Sequence, residues 1–190
     1  MKHYQRVLWS EILKVLSGGR KRAEFIRKHN LFGSIGKNCM IQIWKLPLHS
    51  ELLFLHDNVW IASNIGFVTH DVINSMLNRK FHTKDFIERV GCIEIMDNVF
   101  VGSGTRILYN TRIGSNVIIG SDSFVNKDIP DNSVYAGVPA RYICSSDEYV
   151  EKARLYSDSF KELYGKDKMP PMNKELASKI HENFLKEKSK

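Results

Sequence analysis

The sequence predicts a parallel β-helix flanked by α-helical segments, and three observations carry that prediction. First, Ile95, Val101, Ile107, Ile113, Ile119 and Val125 place an aliphatic β-branched residue at every sixth position without a slip. Second, four places after each of the first five comes Val99, Thr105, Thr111, Val117 or Ser123, again small or β-branched. Third, glycine follows the aliphatic position at Gly102, Gly114 and Gly120. An α-helix repeats its apolar face about every 3.6 residues and a strand at every second one. A period of six fits neither. It fits short parallel strands joined by tight turns, the hexapeptide signature of a β-helix, in which each coil buries its inward residues against the coils above and below.

The elements follow in order. Residues 3–17 read as an amphipathic helix: Val7, Leu8, Trp9, Ile12, Leu13, Val15 and Leu16 form a broad apolar side, and Gly18-Gly19 stops it. A basic segment, Arg20 to Lys28, comes next; between Lys2 and Lys28 eight Lys or Arg stand against two Glu. Residues 1–32 therefore form an N-terminal helical segment. It either packs on the end of the coil with its charges solvated or, through residues 1–28, lies on an anionic membrane surface.

The coil spans residues 33–144. Ile35 to Ile41 gives one full repeat, and the register then breaks through Trp44, Pro47 and His49 before resuming at Leu55, Ile61 and Phe67. The interval from Ile41 to Leu55 is two residues longer than two hexapeptides, so a bulge or small loop is expected there. After Phe67 the repeat stops until Ile95. The intervening residues 70–90 are too polar and aperiodic for coil wall and are expected to project as a loop, where function tends to sit on a rigid scaffold.

Residues 145–190 read as C-terminal helices. Tyr149, Ala153, Tyr156, Phe160 and Leu163 make an apolar stripe at alternating spacings of four and three, punctuated by Gly165 and Pro170-Pro171. Asn173 can cap a last helix carrying Leu176, Ile180 and Phe184. Packing against the coil or a neighbouring subunit is the expected use of these faces.

The 190 residues suggest one domain with appendages. A net charge of +7 favours an anionic partner, whether a phosphorylated cofactor, an acidic glycan or a lipid surface. Nucleic acid is not expected, since no DNA- or RNA-binding motif occurs. Cys39, Cys92 and Cys144 lack the spacing of a zinc or redox site and read as reduced thiols of a cytoplasmic protein, Cys39 and Cys92 in the coil wall. No stretch is long enough to span a membrane, and Glu11 and Lys14 interrupt the apolar run that a signal peptide needs.

Ile95-Met96-Asp97-Asn98-Val99-Phe100-Val101-Gly102 and Ile113-Gly114-Ser115-Asn116-Val117-Ile118-Ile119-Gly120 resemble the repeats of hexapeptide acyltransferases, in particular polysaccharide and sugar O-acetyltransferases. The segment from Val125 through Gly137-Val138-Pro139-Ala140-Arg141 resembles that family's closing sequence. The resemblance implies a left-handed parallel β-helix with three hexapeptides per triangular coil. It also implies a homotrimer with active sites between subunits, acetyl-CoA as co-substrate, and no metal.

Acyl transfer to a hydroxyl needs a base that titrates near neutrality, a site for the oxyanion and a grip on the coenzyme. His70 is the candidate base. It closes Phe67-Val68-Thr69-His70-Asp71, where the coil ends and the loop leaves, and the family's catalytic histidine sits at a similar point; imidazole suits the role. His49, His56 and His82 are weaker alternatives. Asp71 is not expected to touch the imidazole, because adjacent side chains of an extended segment point to opposite faces. By the same resemblance a backbone N–H at Ser103 would hold the oxyanion in a direct attack without an acyl-enzyme. Ser121, Asn126 and Lys127 would line the pantetheine groove, and Arg141 would reach the phosphates. Ser121 and Asn126 depart from the family's usual small residue and threonine.

These readings converge on an acetyl-CoA-dependent O-acetyltransferase acting on a sugar hydroxyl, with surface polysaccharide biosynthesis as the setting. The alternatives are an N-acetyltransferase of an amino sugar or antibiotic, and a catalytically inactive trimeric scaffold. A γ-class carbonic anhydrase would need three histidines around zinc, and none occurs between His82 and His181.

Overall fold

The computed structural model describes residues 2–164 and 171–189, without the side chains of 159, 160, 162–164 and 187. The chain divides into two compact units, Met1–Ser146 and Asp147–Lys190.

The first unit opens with two helices, α1 (His3–Val15) and α2 (Gly19–Lys28), separated at Gly18, whose φ of 86° starts the second helix. α2 presents Ala23 and Ile26, both buried, to the first strands of the coil and closes its open end. Arg22 is buried with it: Nε donates to the Leu13 carbonyl (2.8 Å) and Nη1 to Gln42 Oε1 (2.7 Å), which satisfies the charge-bearing group. Packing on the coil end is therefore the arrangement of this segment. Tyr4, Leu8 and Val15 of α1 stay exposed.

The chain then visits three parallel sheets in rotation. The first coil contains β1 (Ser34–Ile35) and β2 (Met40–Ile41); the second β3 (Leu53–Leu55), β4 (Val59–Ile61) and β5 (Gly66–Val68). After an excursion come β8 (Ile93–Ile95), β9 (Val99–Val101) and β10 (Arg106–Leu108), then β11 (Thr111–Ile113), β12 (Val117–Ile119) and β13 (Phe124–Val125). The last coil carries β14 (Ser133–Ala136), against which β15 (Arg141–Ser145) runs antiparallel. The resulting sheets are β1-β3-β8-β11, β2-β4-β9-β12-β14 with β15 at its edge, and β5-β10-β13.

Pairing stacks Ile35, Leu55, Ile95 and Ile113 on one sheet, Ile41, Ile61, Val101 and Ile119 on the second, and Phe67, Ile107 and Val125 on the third. The six-residue column of the sequence is fully buried, and Val99, Thr105, Thr111, Val117 and Ser123 form a second buried column beside it. Each buried aliphatic contributes about 1.5–3 kcal/mol. Small residues at the second position leave room for the corner to close.

One corner carries a feature the repeat alone does not announce. Asn38, Asn58, Asn98, Asn116 and Asn132 all have left-handed backbone (φ 56–59°), a conformation asparagine tolerates better than other side chains. The amides of the last four form a ladder: Asn58 Nδ2 donates to Asn98 Oδ1 (2.9 Å), Asn98 Nδ2 to Asn116 Oδ1 (3.1 Å) and Asn116 Nδ2 to Asn132 Oδ1 (2.8 Å).

The small loop expected between Ile41 and Leu55 is present, and two other expectations need adjustment. The two extra residues fall in the segment after β2, where His49 takes φ 53° and a 3₁₀ turn, Ser50–Leu52, returns the chain to β3. Residues 70–90 are not a plain loop: β6 (His70–Asp71) pairs antiparallel with β7 (Arg89–Val90), and α3 (Ile73–Phe81) lies between them. Cys92 is exposed rather than part of the wall, because Ile93 and Ile95 take the inward positions of β8 and alternation turns position 92 outward. Cys39 and Cys144 are buried.

The second unit contains α5 (Lys174–Lys188) and all but the first residue of α4 (Ser146–Tyr164). Asn173 caps α5, its Oδ1 accepting the Leu176 N–H at 2.8 Å. Tyr149 and Tyr156 are exposed and Leu176 is buried. Gly165 and Pro170, and the side chains of Phe160 and Leu163, lie outside the described residues.

Candidate active site

His70 stands at the corner where the third sheet ends. The main chain is held on both sides there: Thr69 Oγ1 donates to the Leu48 carbonyl (2.7 Å), and the Gly91 N–H donates to the Thr69 carbonyl (3.0 Å). The β6–β7 pairing, His70 opposite Val90, pins the root of the projecting arm. The His70 ring meets the His49 ring edge-on, with centroids 5.2 Å apart. His70 Nδ1 is enclosed and has no hydrogen-bond partner among the described residues. Nε2 is left as the nitrogen able to meet a hydroxyl. An imidazole with one ring nitrogen shut away exchanges protons through the other, and Nε2 accepts one when Nδ1 carries the ring's own.

Asp71 turns away from that imidazole, as strand alternation requires. Its Oδ2 accepts the Tyr109 hydroxyl at 2.6 Å and its Oδ1 the Ile73 N–H at 3.1 Å. The Tyr109 hydrogen bond, then the Ile73 N–H and the nearby charges of Arg89 and His70, hold its carboxyl below the usual range against a smaller opposing desolvation. Nothing in the sequence marks Tyr109, which lies outside the periodic positions. It follows β10 directly, one coil above Thr69, and only the stacking of β10 on β5 brings it to Asp71.

The predicted coenzyme residues divide between two corners. Ser103 and Ser121 occupy the corner before the third sheet, in successive coils, where the Asp122 N–H donates to the Ser103 carbonyl at 2.7 Å. Both side chains are exposed. The coils approach so closely there that a Cβ on Gly102 would lie 2.5 Å from the Ser121 nitrogen, so only glycine fits. Asn126 and Lys127 follow β13 at the corner after the third sheet, on the His70 edge, and are exposed. Arg141 opens β15, exposed, with Nη1 donating to the Ala140 carbonyl at 3.1 Å. The third sheet thus separates Ser103 and Ser121 from His70, Asn126 and Lys127 within one chain.

The other histidines have different surroundings. His56 Nε2 lies 3.1 Å from Glu94, which Arg112 also approaches at 3.4 Å. His82 ends α3 in left-handed conformation. Among the described residues no group of three His, Cys, Asp or Glu is placed to hold a metal ion.

Comparison with known proteins bears on this arrangement. Residues 93–127 match the family described as "Bacterial transferase hexapeptide (six repeats)". A galactoside O-acetyltransferase of Escherichia coli (strain K12) is 37% identical over 70% of this chain and 59% of its own length. Protein CapG of Staphylococcus aureus is 34% identical over 74% of this chain and 82% of its own. A solved galactoside acetyltransferase in complex with coenzyme A superposes with a TM-score of 0.57 at 24% identity, over 78% of this chain and 82% of that one. The chain spans less than two thirds of the length of the Escherichia coli relative.

Proposed function

Because the chain belongs to the hexapeptide-repeat transferase family, we propose that it transfers the acetyl group of acetyl-CoA to a sugar hydroxyl, with His70 as general base. The observation that carries the reading is the seat of His70 at the root of the projecting arm, its main chain pinned and its Nδ1 enclosed. The acceptor oxygen attacks the thioester carbon while its proton passes to His70 Nε2. The tetrahedral oxyanion takes a hydrogen bond from the Ser103 N–H, and collapse expels the thiolate, which receives the proton back. Ser121, Asn126 and Lys127 line the pantetheine path, and Arg141 meets the phosphates. The relative named for galactoside O-acetylation supports a sugar hydroxyl over an amine. Surface polysaccharide is the setting that suits the basic terminal segments.

In this reading the coil is left-handed and three copies associate. The Ser103 edge of one subunit then faces the His70 edge of its neighbour, which accounts for the division of the site between two corners of one chain.

The test is His70→Ala, measured for assembly, coenzyme A affinity and turnover. Assembly and affinity should persist while turnover falls roughly 10²–10⁴-fold, the usual contribution of a general base. Retention of more than about a tenth of the activity would remove His70 from the role. Assaying neutral sugars, amino sugars and aminoglycoside antibiotics side by side separates O- from N-acetylation.

A further inference from the structure

Below the third sheet the coil is incomplete. The first two coils supply β1 under β3 and β2 under β4, but residues 42–48 form no strand under β5, which pairs only with β10. A cleft of about 590 Å³ occupies that place, walled by Trp44, Leu46, Leu48, Ile65 and Phe67, with Arg6 and Lys45 among its polar lining. Among the described residues no acidic one lines it.

We propose that this cleft binds the acceptor, and that the acceptor is a carboxylated sugar, a uronic-acid-type ring. The inference rests on the acetyltransferase reading and adds the substrate class to it. Three features argue for this ligand. Trp44 is 59% exposed at the cleft wall, a broad aromatic face on which the C–H side of a sugar ring can lie. In a parallel ladder alternate residues turn their N–H and C=O to opposite neighbours. The Gly66 N–H donates to the Thr105 carbonyl on the β10 side, so the Phe67 main-chain groups point to the open side and can bond ring hydroxyls.

The third feature is charge. The only polar partners of the Arg6 guanidinium among the described residues are distant and neither is a carboxylate, the Leu46 carbonyl at 3.4 Å and His3 Nδ1 at 3.5 Å; its Nε is buried with none. Arg6 is held in place from α1, where its carbonyl accepts the Ser10 hydroxyl (2.7 Å) and Ser10 Oγ accepts the Leu46 N–H (3.1 Å). Glu11, which lines an adjoining pocket with Arg6 and Lys45, bonds Lys14 at 2.7 Å. A guanidinium beside Lys45 that bonds no carboxylate among the described residues is suited to a ligand carboxylate. The cleft also reaches the reacting end: Leu48 lines it, bonds Thr69 through its carbonyl, and precedes His49, whose ring touches His70.

The experiment compares methyl β-glucuronide with methyl β-glucoside, which differ only in carboxylate against hydroxymethyl. Binding is measured by calorimetry at low salt with coenzyme A present, and transfer by acetyl-CoA consumption. The glucuronide should bind and react about tenfold better, the usual scale of a charge-assisted hydrogen bond. Raising salt, or the R6Q/K45Q double variant, should erase the preference, and W44A should weaken both sugars. Equal binding of the two glycosides, no binding of either, or a preference that survives R6Q/K45Q overturns the inference. If sugars are acetylated without that preference, the catalytic reading stands and the cleft assignment falls. If the glucuronide binds through Arg6 and Lys45 but no sugar is acetylated, the cleft assignment stands as a binding site and the catalytic reading falls.

Discussion

At the scale of single residues, the Tyr109–Asp71 hydrogen bond ties one coil to the root of the arm that carries His70. It depends on Asp71 being ionised, and it helps to hold that carboxyl below its ordinary range. A depressed carboxylate stabilises the fold above its ordinary pKa, and the contribution is lost as pH falls through the depressed value. Tyr109→Phe should therefore move the Asp71 titration upward, read by carboxyl-carbon NMR. The stability gap between the two proteins should be present at neutral pH and close in acid. An unmoved midpoint would show that the Ile73 N–H and the neighbouring charges set the carboxyl without Tyr109. Turnover should fall as well, because a looser β6 leaves His70 less well placed.

At the scale of elements, α1 has two unlike sides. Arg6, Ser10 and Leu13 turn inward, while Tyr4, Leu8 and Val15 remain exposed among basic residues. Contact of this outer stripe with an anionic membrane face is the proposal that fits it, since an apolar strip flanked by cations lies in a lipid interface. The protein should sediment with vesicles containing phosphatidylserine and leave them as salt rises. Leu8→Glu should abolish sedimentation. Recovery in the supernatant with both anionic and neutral vesicles would show that the stripe has no lipid role. The arm is a second element with unused apolar surface: Ile73, Met76, Phe81 and Ile87 are all exposed along residues 72–90.

At the scale of the whole molecule, the division of the proposed site between two corners requires more than one copy. Light scattering at micromolar concentration should give three times the chain mass. Mixing inactive His70→Ala with a second inactive variant, Gly102→Val, should restore part of the activity after subunit exchange, because a mixed interface can pair an intact His70 edge with an intact Ser103 edge. A monomer, or no recovery despite demonstrated exchange, would contradict a shared site. Gly102→Val disables the Ser103 corner because the added side chain meets the main chain of the coil above.

The column of Ile95 to Val125 made the parallel coil legible without coordinates, since only stacking at a six-residue period buries all of those positions at once. Asn173 as a cap and the end of α1 before Gly18-Gly19 were legible for the same reason: each follows from local backbone chemistry. What the sequence did not disclose depends on contacts between residues far apart in the chain. The asparagine ladder joins side chains that meet only when corners stack, Tyr109 reaches Asp71 across 38 positions, and the helix in the arm has no buried face to mark its period. Cys92 points outward because Ile93 and Ile95 take the inward positions, and where β8 begins after the arm is decided only by its pairing with β3. The cleft is the clearest case. The broken register through Trp44, Pro47 and His49 marks an interruption, but that it leaves β5 without a strand beneath it and opens a cleft there follows only from how the coils stack.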